Sequence, residues 1–232
     1  MISRFVTSSI MATNPAVPPK PVILALIQAR QNSSRLPDKV LECFSGDTLL
    51  GHIARRVKRS KYINRILVAT GNKNANAQLI ETCKKQGIEI FCGSDEDVLS
   101  RFYFAAKPLS PDIIVRITAD DPLKDPEVID RAIEILLKSR KSHTPYNYVS
   151  NTLKPTYPEG LDIEVFTFAA LERAFREAKL PSEREHVTPY IWKNSRLFRA
   201  HNFEHSTDLS YLRWTVDYEE DMDFVKAIYR HF

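Results

Sequence analysis

From residue 22 to residue 138, apolar runs of strand length alternate with amphipathic stretches of helix length. Strands are expected at 22–27, 66–70, 88–91 and 112–117. Helices are expected at 49–59, 75–86, 96–106 and 126–138. The strand segments are rich in Val and Ile, as in strands buried on both faces of a sheet. This βαβα rhythm with short connections predicts an α/β fold built on a single doubly wound, mostly parallel sheet with right-handed crossovers. Asp95 and Asp125 suit helix N-caps, and Pro126 suits a first helical position. From residue 147 the rhythm loosens. Strands are expected at 147–150, 163–166 and 211–215, and helices at 169–178, 185–193 and 219–230. This later half reads as an extension of the same sheet rather than a separate domain. The chain of 232 residues is long enough for one such domain with a sizeable core.

Residues 1–21 hold four prolines and no acidic residue. They read as a disordered tail, with a transit-like segment or a start at Met11 as alternatives. No apolar run there is long enough to span a membrane, and no membrane partner is expected. The net charge of +4 is spread along the chain and does not argue for nucleic acid. Cys43, Cys83 and Cys92 form no CxxC pair and read as reduced thiols of a cytoplasmic protein. The helical pattern still runs at residues 229–232, which leaves open that the natural chain continues.

Function is concentrated where the first strand ends. Residues 22–41 read VILALIQARQNSSRLPDKVL, an apolar strand followed by a loop carrying Arg30, Ser33, Arg35 and Lys39. In open α/β sheets, ligands bind at the carboxyl ends of the strands. Three cations with several small donors suit a polyphosphate better than a single carboxylate. A second feature is DIIVRITADDP at 112–122, a buried strand ending in adjacent carboxylates. Beside a triphosphate, such a carboxylate suits Mg²⁺, which takes few protein carboxylates plus phosphate and water oxygens. A lone aspartate at a strand end more often caps a helix. A third is LRWTVD at 212–217, where Asp217 ends what reads as another apolar strand. A fourth is YPEGLDIE at 157–164. On a strand, Asp162 and Glu164 would share one face, and two acids on one face suit a polar pocket or solvent better than an apolar core. In SEREH at 182–186, Ser182 and Glu185 read as a capping box, leaving Arg184 and His186 for ligand contacts.

The loop QARQNSSRLPDKVL resembles the signature loop of the sugar cytidylyltransferases, roughly x-A-R-x-x-S-x-R-L-P-x-K. The blocks GSDEDVLSRFY, DIIVRITADDPLKDPEVID, NYVSNTLKPTYPEGLDIEVF, LPSEREHVTPYI and LRWTVDYEEDMDFV extend the resemblance from about Val22 to the chain end. The similarity is to the branch typified by spore coat polysaccharide biosynthesis protein F, with the 3-deoxy-manno-octulosonate and acylneuraminate cytidylyltransferases more distant. Two positions depart from the pattern. Asn32 and Asp38 stand where glycine is usual, and Asp38 places a negative charge beside the loop.

The resemblance implies a nucleotide-diphospho-sugar transferase, or GT-A-like Rossmann-type, fold over 22–232. Within it, 22–145 would be the nucleotide half and 146–232 the sugar half. It implies an enzyme that activates an acidic or surface-polysaccharide sugar by transferring CMP from CTP, releasing pyrophosphate. Gln28, Ala29, Arg30, Ser33, Arg35, Lys39 and Arg101 would bind the nucleotide, with Arg30, Arg35 and Lys39 also steadying the departing pyrophosphate. Asp120 and Asp217 would hold Mg²⁺, and Asp121 would have a supporting or solvated role. Asp162, Glu164, Arg184 and His186 would face the sugar. Many members of the family dimerise, so a homodimer is left open. Two further readings stay in view. One is a glycosyltransferase of the same fold, which generally carries a D-x-D motif instead of Asp120–Asp121. The other is a nucleotide-binding homologue without turnover.

Overall fold

The computed structural model describes residues 20–33 and 35–232, so the expected tail and Ser34 lie outside the described residues, apart from Lys20 and Pro21. Among the described residues the first elements are β1 (Ile23–Gln28) and a small hairpin of β2 (Cys43–Phe44) and β3 (Asp47–Thr48), then α1 (Leu49–Val57). There follow β4 (Arg65–Thr70), α2 (Ala77–Lys85), β5 (Glu89–Cys92), α3 (Val98–Ala106), β6 (Ile113–Thr118) and α4 (Pro126–Ser139). The later half supplies β7 (Tyr148–Ser150), β8 (Glu164–Thr167), α5 (Phe168–Glu177), α6 (Pro181–His186), α7 (Pro189–Lys193), β9 (Ala200–Asn202) and α8 (Glu219–His231). No helix among the described residues is long and apolar enough to cross a membrane.

Seven strands form one sheet in the order β5-β4-β1-β6-β8-β7-β9. Of these only β8 runs against its neighbours, pairing antiparallel with β6 and β7. Strands from both halves of the chain therefore share one sheet. The chain winds outward from β1 through β4 to β5, then returns to place β6 on the other side of β1. That reversal between β1 and β6 opens a crevice at their carboxyl ends.

Alternation along β1 divides its side chains between two cores. Ile23, Ala25 and Ile27 pack under α1, α4 and α8 with Leu50, Ile53, Ile133 and Val225. Leu24 and Leu26 pack under α3, α5 and α7 with Leu99, Phe102, Leu171 and Ile191. Both sets are almost wholly buried, which is why the strand reads as a continuous apolar run.

Four local expectations are corrected. Residues 211–215 form no strand. They are an extended strap tied down by Trp214 N–H to the Glu159 carbonyl at 2.8 Å and by Val216 N–H to the Asp120 carbonyl at 2.7 Å. The helix expected at 185–193 is two short helices broken at Val187, whose φ is 72°. Pro189, which has no N–H to donate to a continuing helix, instead starts the second one as its first residue. The Ser182–Glu185 capping box is absent, because α6 starts at Pro181 and Glu183 instead accepts from the Leu180 N–H. Asp97, not Asp95, caps α3 through the Ser100 N–H at 2.9 Å, while Asp95 accepts from Asn72 N–H. Asp125 caps α4, with Pro126 as its first residue. The β2–β3 hairpin and β9 were not anticipated. The hairpin turns on Ser45 and Gly46, both with positive φ, and a Ser-Gly pair is a recognisable signal for such a turn.

α8 docks through a stack of rings. Buried His52 lies 4.4 Å from Phe44 and 4.2 Å from Tyr229, centroid to centroid. Burial holds its pKa below the usual histidine value of 6.5, despite a hydrogen bond to the Phe44 carbonyl. A depressed folded pKa means that the unfolded chain binds the proton more readily. The stabilising contribution is thus complete above the usual value and is lost as pH falls through the folded one. Thermal unfolding should show a lower midpoint at mildly acidic pH than at pH 7.5, and His52→Gln should flatten that difference.

Candidate active site

A cleft of about 790 Å³ opens at the β1–β6 switch point. Its floor is Gln28 and Ala29 at the end of β1, with Thr118, Ala119 and Asp120 at the end of β6. The loop residues Arg30, Ser33, Arg35 and Lys39 form one rim. The start of α3, with Asp95 to Val98 and Arg101, faces them, and α6 closes the side with Pro181, Arg184, Glu185 and His186. Asp217 enters from the strap before α8. Eleven of the thirteen ligand residues expected from sequence line this cleft, all but Asp162 and Glu164.

The polar centre is a set of ion pairs linking three distant segments. Asp217 is buried and meets three cations: Arg35 Nη2 at 2.7 Å, Lys39 Nζ at 3.2 Å and Arg213 Nη2 at 3.0 Å. Lys39 also donates to the Val216 carbonyl at 2.6 Å and lies 4.0 Å from Asp120 Oδ2. Its ammonium therefore sits between the two carboxylates. Arg35 is half exposed and lies over the Tyr218 ring, 5.6 Å from its centroid. Asp217 is reached by an irregular strap rather than by the strand end expected from sequence.

Asp120 is the anomaly. Its Oδ1 is buried and has no hydrogen-bond partner among the described residues. Burial, and then the neighbouring Asp121, raise its pKa above the ordinary aspartate value. A carboxylate oxygen withheld from water and left unpartnered fits a cation ligand. Among the described residues no group of three or more His, Cys, Asp or Glu side chains converges to hold a metal. A hard cation here would complete its shell with phosphate and water oxygens. Asp121 is not solvated. It is buried, accepts from Thr118 Oγ1 at 2.7 Å and pairs with Lys124 Nζ at 2.7 Å. Lys124 is itself fully buried and donates to the Asp162 carbonyl at 2.5 Å.

The sugar-side residues divide. Glu164 begins β8, is buried outside the cleft lining, and pairs with Arg116. Burial opposes its charge, but Arg116 and hydrogen bonds from Thr188 and Tyr148 outweigh that and hold its pKa below the usual range. It therefore does not face a ligand directly. Asp162 precedes the strand instead of sharing its face with Glu164. It is exposed and outside the cleft lining, yet desolvation by the surrounding protein pushes its carboxyl up to about 6. Arg184 lines the cleft but spends its donors on Asp97, at 2.9 and 2.6 Å, and on the Phe175 and Ala178 carbonyls, both at 3.1 Å. It ties α6 to α3 and to the end of α5. His186 is exposed at the cleft edge.

Arg30 is exposed, and its charge, after burial and the opposing Asp95, contributes to the lowered pKa of Arg101. Arg101 is buried, donates to the Ser94 carbonyl at 2.9 Å, and keeps a buried Nε without a partner. Sequence reading passed over Arg116 and Lys124 and took Arg213 for a packing residue. The signal available for Arg116 is a single charge inside the otherwise uncharged run IIVRIT.

Of the two positions where glycine is usual, only Asp38 has the left-handed backbone, with φ 57° and ψ 11°. Asp38→Gly relieves a conformation that L-residues adopt at a cost and removes an exposed negative charge from the loop. It should leave stability within about 1 kcal/mol of the parent and tighten triphosphate binding a few-fold at low salt, less at high salt. Calorimetric titration at two ionic strengths checks this.

The family model for cytidylyltransferases matches residues 24–229. The chain is 41% identical over 212 residues to protein MJ1063 of Methanocaldococcus jannaschii, covering 90% of this chain and 84% of that one. It is 34% identical over 215 residues to spore coat polysaccharide biosynthesis protein SpsF of Bacillus subtilis, covering 90% and 86%. A solved cytidylyltransferase from Leptospira borgpetersenii superimposes with a TM-score of 0.84 at 35% identity, covering 90% of this chain and 87% of that one. A doubly wound sheet whose switch point gathers the loop arginines and lysine against two aspartates agrees with these matches, and the chain belongs to the cytidylyltransferase family.

Proposed function

We propose that the chain activates a sugar by transferring CMP from CTP with release of pyrophosphate, in a Mg²⁺-dependent reaction. The observation that carries this reading is the Lys39 ammonium lying between Asp217 and Asp120 at the β1–β6 crevice. A triphosphate entering there offers Arg35 and Lys39 more negative charge than Asp217 does and draws them away from it. Arg30, exposed at the rim, adds a third cation for the phosphates. Asp217 and the unpartnered oxygen of Asp120 are then the groups that would hold Mg²⁺. When bound, the ion would neutralise phosphate charge and lower the pKa of a coordinated hydroxyl. A sugar hydroxyl oxygen forms the new bond to the α-phosphorus, the bond to the bridging oxygen breaks, and pyrophosphate carries away that electron pair. The hydroxyl proton passes to solvent, with His186 at the cleft edge as a nearby acceptor. The protein's share is orientation and charge neutralisation, which suffice for such a transfer.

The sugar is proposed to be an acidic or surface-polysaccharide sugar, a reading supported by the similarity to the spore coat polysaccharide protein. A cytoplasmic site of action and a homodimer belong to the same proposal, and light scattering on the purified protein checks the second. The decisive experiment is pyrophosphate release, with four nucleoside triphosphates against a panel of acidic and neutral sugars, with and without Mg²⁺. Release with CTP, one class of sugar and Mg²⁺ is the expected result. CTP binding without turnover on any sugar would identify a binding homologue, and sugar transfer from a preformed nucleotide-sugar would identify a glycosyltransferase.

A further inference from the structure

Gln28 ends β1 on the face that carries Leu24 and Leu26, the face under α3, α5 and α7. The residues that grip Asp217 belong to the other side, where Val40 and Val216 join the opposite core. A nucleotide whose phosphates meet Arg35 and Lys39 therefore has its uncharged part available to the α3 side of the cleft. There the side chain of Gln28 accepts from Arg116 Nη2 at 3.1 Å through its Oε1. Arg116 Nη1 donates to Glu164, its direct cross-strand partner. Glu164 is held in turn by Tyr148 Oη at 2.7 Å and Thr188 Oγ1 at 2.5 Å.

A guanidinium has donors and no acceptor. The amide oxygen of Gln28 must face it, and the amide NH₂ must point away, into the cleft that Gln28 lines. An apolar cross-strand pair would serve the fold as well as a buried ion pair, but it could not fix which end of an amide faces the ligand. Resting on the nucleotide reading above, we propose that Arg116 and Glu164 are positioning residues that lock Gln28 as a donor-only contact to the pyrimidine of the bound nucleotide. Cytosine offers acceptors at both O2 and N3, whereas uracil carries N–H at N3. A fixed donor meeting N3 therefore favours CTP over UTP, whose N3–H it would oppose, and an amide free to rotate would accommodate either base.

The test is calorimetric titration with CTP and UTP, which reads binding without turnover. The parent protein should prefer CTP. Gln28→Met should lower CTP affinity about tenfold, the scale for one lost hydrogen bond in a desolvated site, with little change for UTP. Arg116→Met, which keeps the amide but frees its rotation, should shrink the CTP/UTP ratio similarly, and Arg116→Lys should restore part of it. The double change Gln28→Met/Arg116→Met should be no worse than either alone. If Arg116→Met fails to fold because Glu164 is left unpaired, Arg116→Met/Glu164→Gln removes both charges together and carries the same expectation. Folded variants with an unchanged CTP/UTP ratio overturn the proposal, including the case where only the sugar KM moves. A parent protein that binds no CTP overturns the nucleotide reading itself.

Discussion

Asp120→Asn should abolish most turnover while raising the melting temperature of the ligand-free protein. The loss should reach about two orders of magnitude or more, the scale for removing a preorganised electrostatic contact. The stability gain follows from the sign of the pKa shift. Burial and the adjacent Asp121 raise the Asp120 pKa in the fold, so above the ordinary aspartate value its charge works against folding, and a neutral isostere removes that cost. Asp217→Asn should lose activity to a similar degree with the opposite effect on stability. Its carboxylate neutralises Arg35, Lys39 and Arg213, and weakening those contacts should destabilise the fold by about 1–3 kcal/mol. The double variant should be little slower than either single one, because groups acting on one centre are non-additive. Steady-state kinetics and thermal melts on the three variants check all of this. Near-parental turnover in either single variant, or losses that multiply in the double, would remove the shared-cation reading and direct attention to Asp121.

Lys39→Met should weaken CTP binding by roughly 2–4 kcal/mol, as expected when a charge-assisted contact is lost from a desolvated site. Lys39 is largely buried, so added salt should do little to mask the effect. Arg35→Ala should cost less, roughly tenfold in affinity, because Arg35 is half exposed and screened. Arg35→Lys should restore only part of it if the guanidinium makes a two-pronged contact. The two variants should also separate in the absence of nucleotide. Removing Lys39 leaves Asp120 and Asp217 without their common ammonium, so binding of Mn²⁺ alone, followed by electron paramagnetic resonance, should change more for Lys39→Met than for Arg35→Ala. Equal CTP affinity in parent and Lys39→Met would exclude this lysine from the phosphate site.

Much of this molecule can be read along the chain. The apolar run before Gln28 and the run before Asp120 are nearly unbroken because both strands are covered on both faces, and burial of that kind leaves a direct imprint on composition. The loop from Arg30 to Lys39 and the aspartate at 120 were visible for the same reason: polar residues at the end of a buried strand mark the edge where the sheet opens. The strap at 211–217 was mistaken for a strand because Trp214 and Val216 do pack inward, although Tyr211 is exposed. Its hydrogen bonds, however, go to single carbonyls at Glu159 and Asp120 and not to a ladder. The late β9 had equally little to announce it, since short elements depend on what they dock against, whereas Pro189 in the middle of 185–193 did signal the break there.

Charged residues mark the limit of reading by sequence alone. Glu164 and Asp162 look equivalent in DIE, yet one is buried in a saturated network and the other keeps a face to solvent. Arg184 looks like a free ligand donor and is instead consumed by Asp97 and two carbonyls. The winding of the first half of the sheet, the strand-end crevice and the cationic loop were legible along the chain, because hydrophobic periodicity and strand-end chemistry are local properties. Folding set Lys39 between Asp120 and Asp217, paired Asp121 with Lys124 and brought Arg116 onto the amide oxygen of Gln28. A charge is satisfied by whichever partner the fold brings within about 3 Å, and that partner is set by packing between segments far apart in the chain.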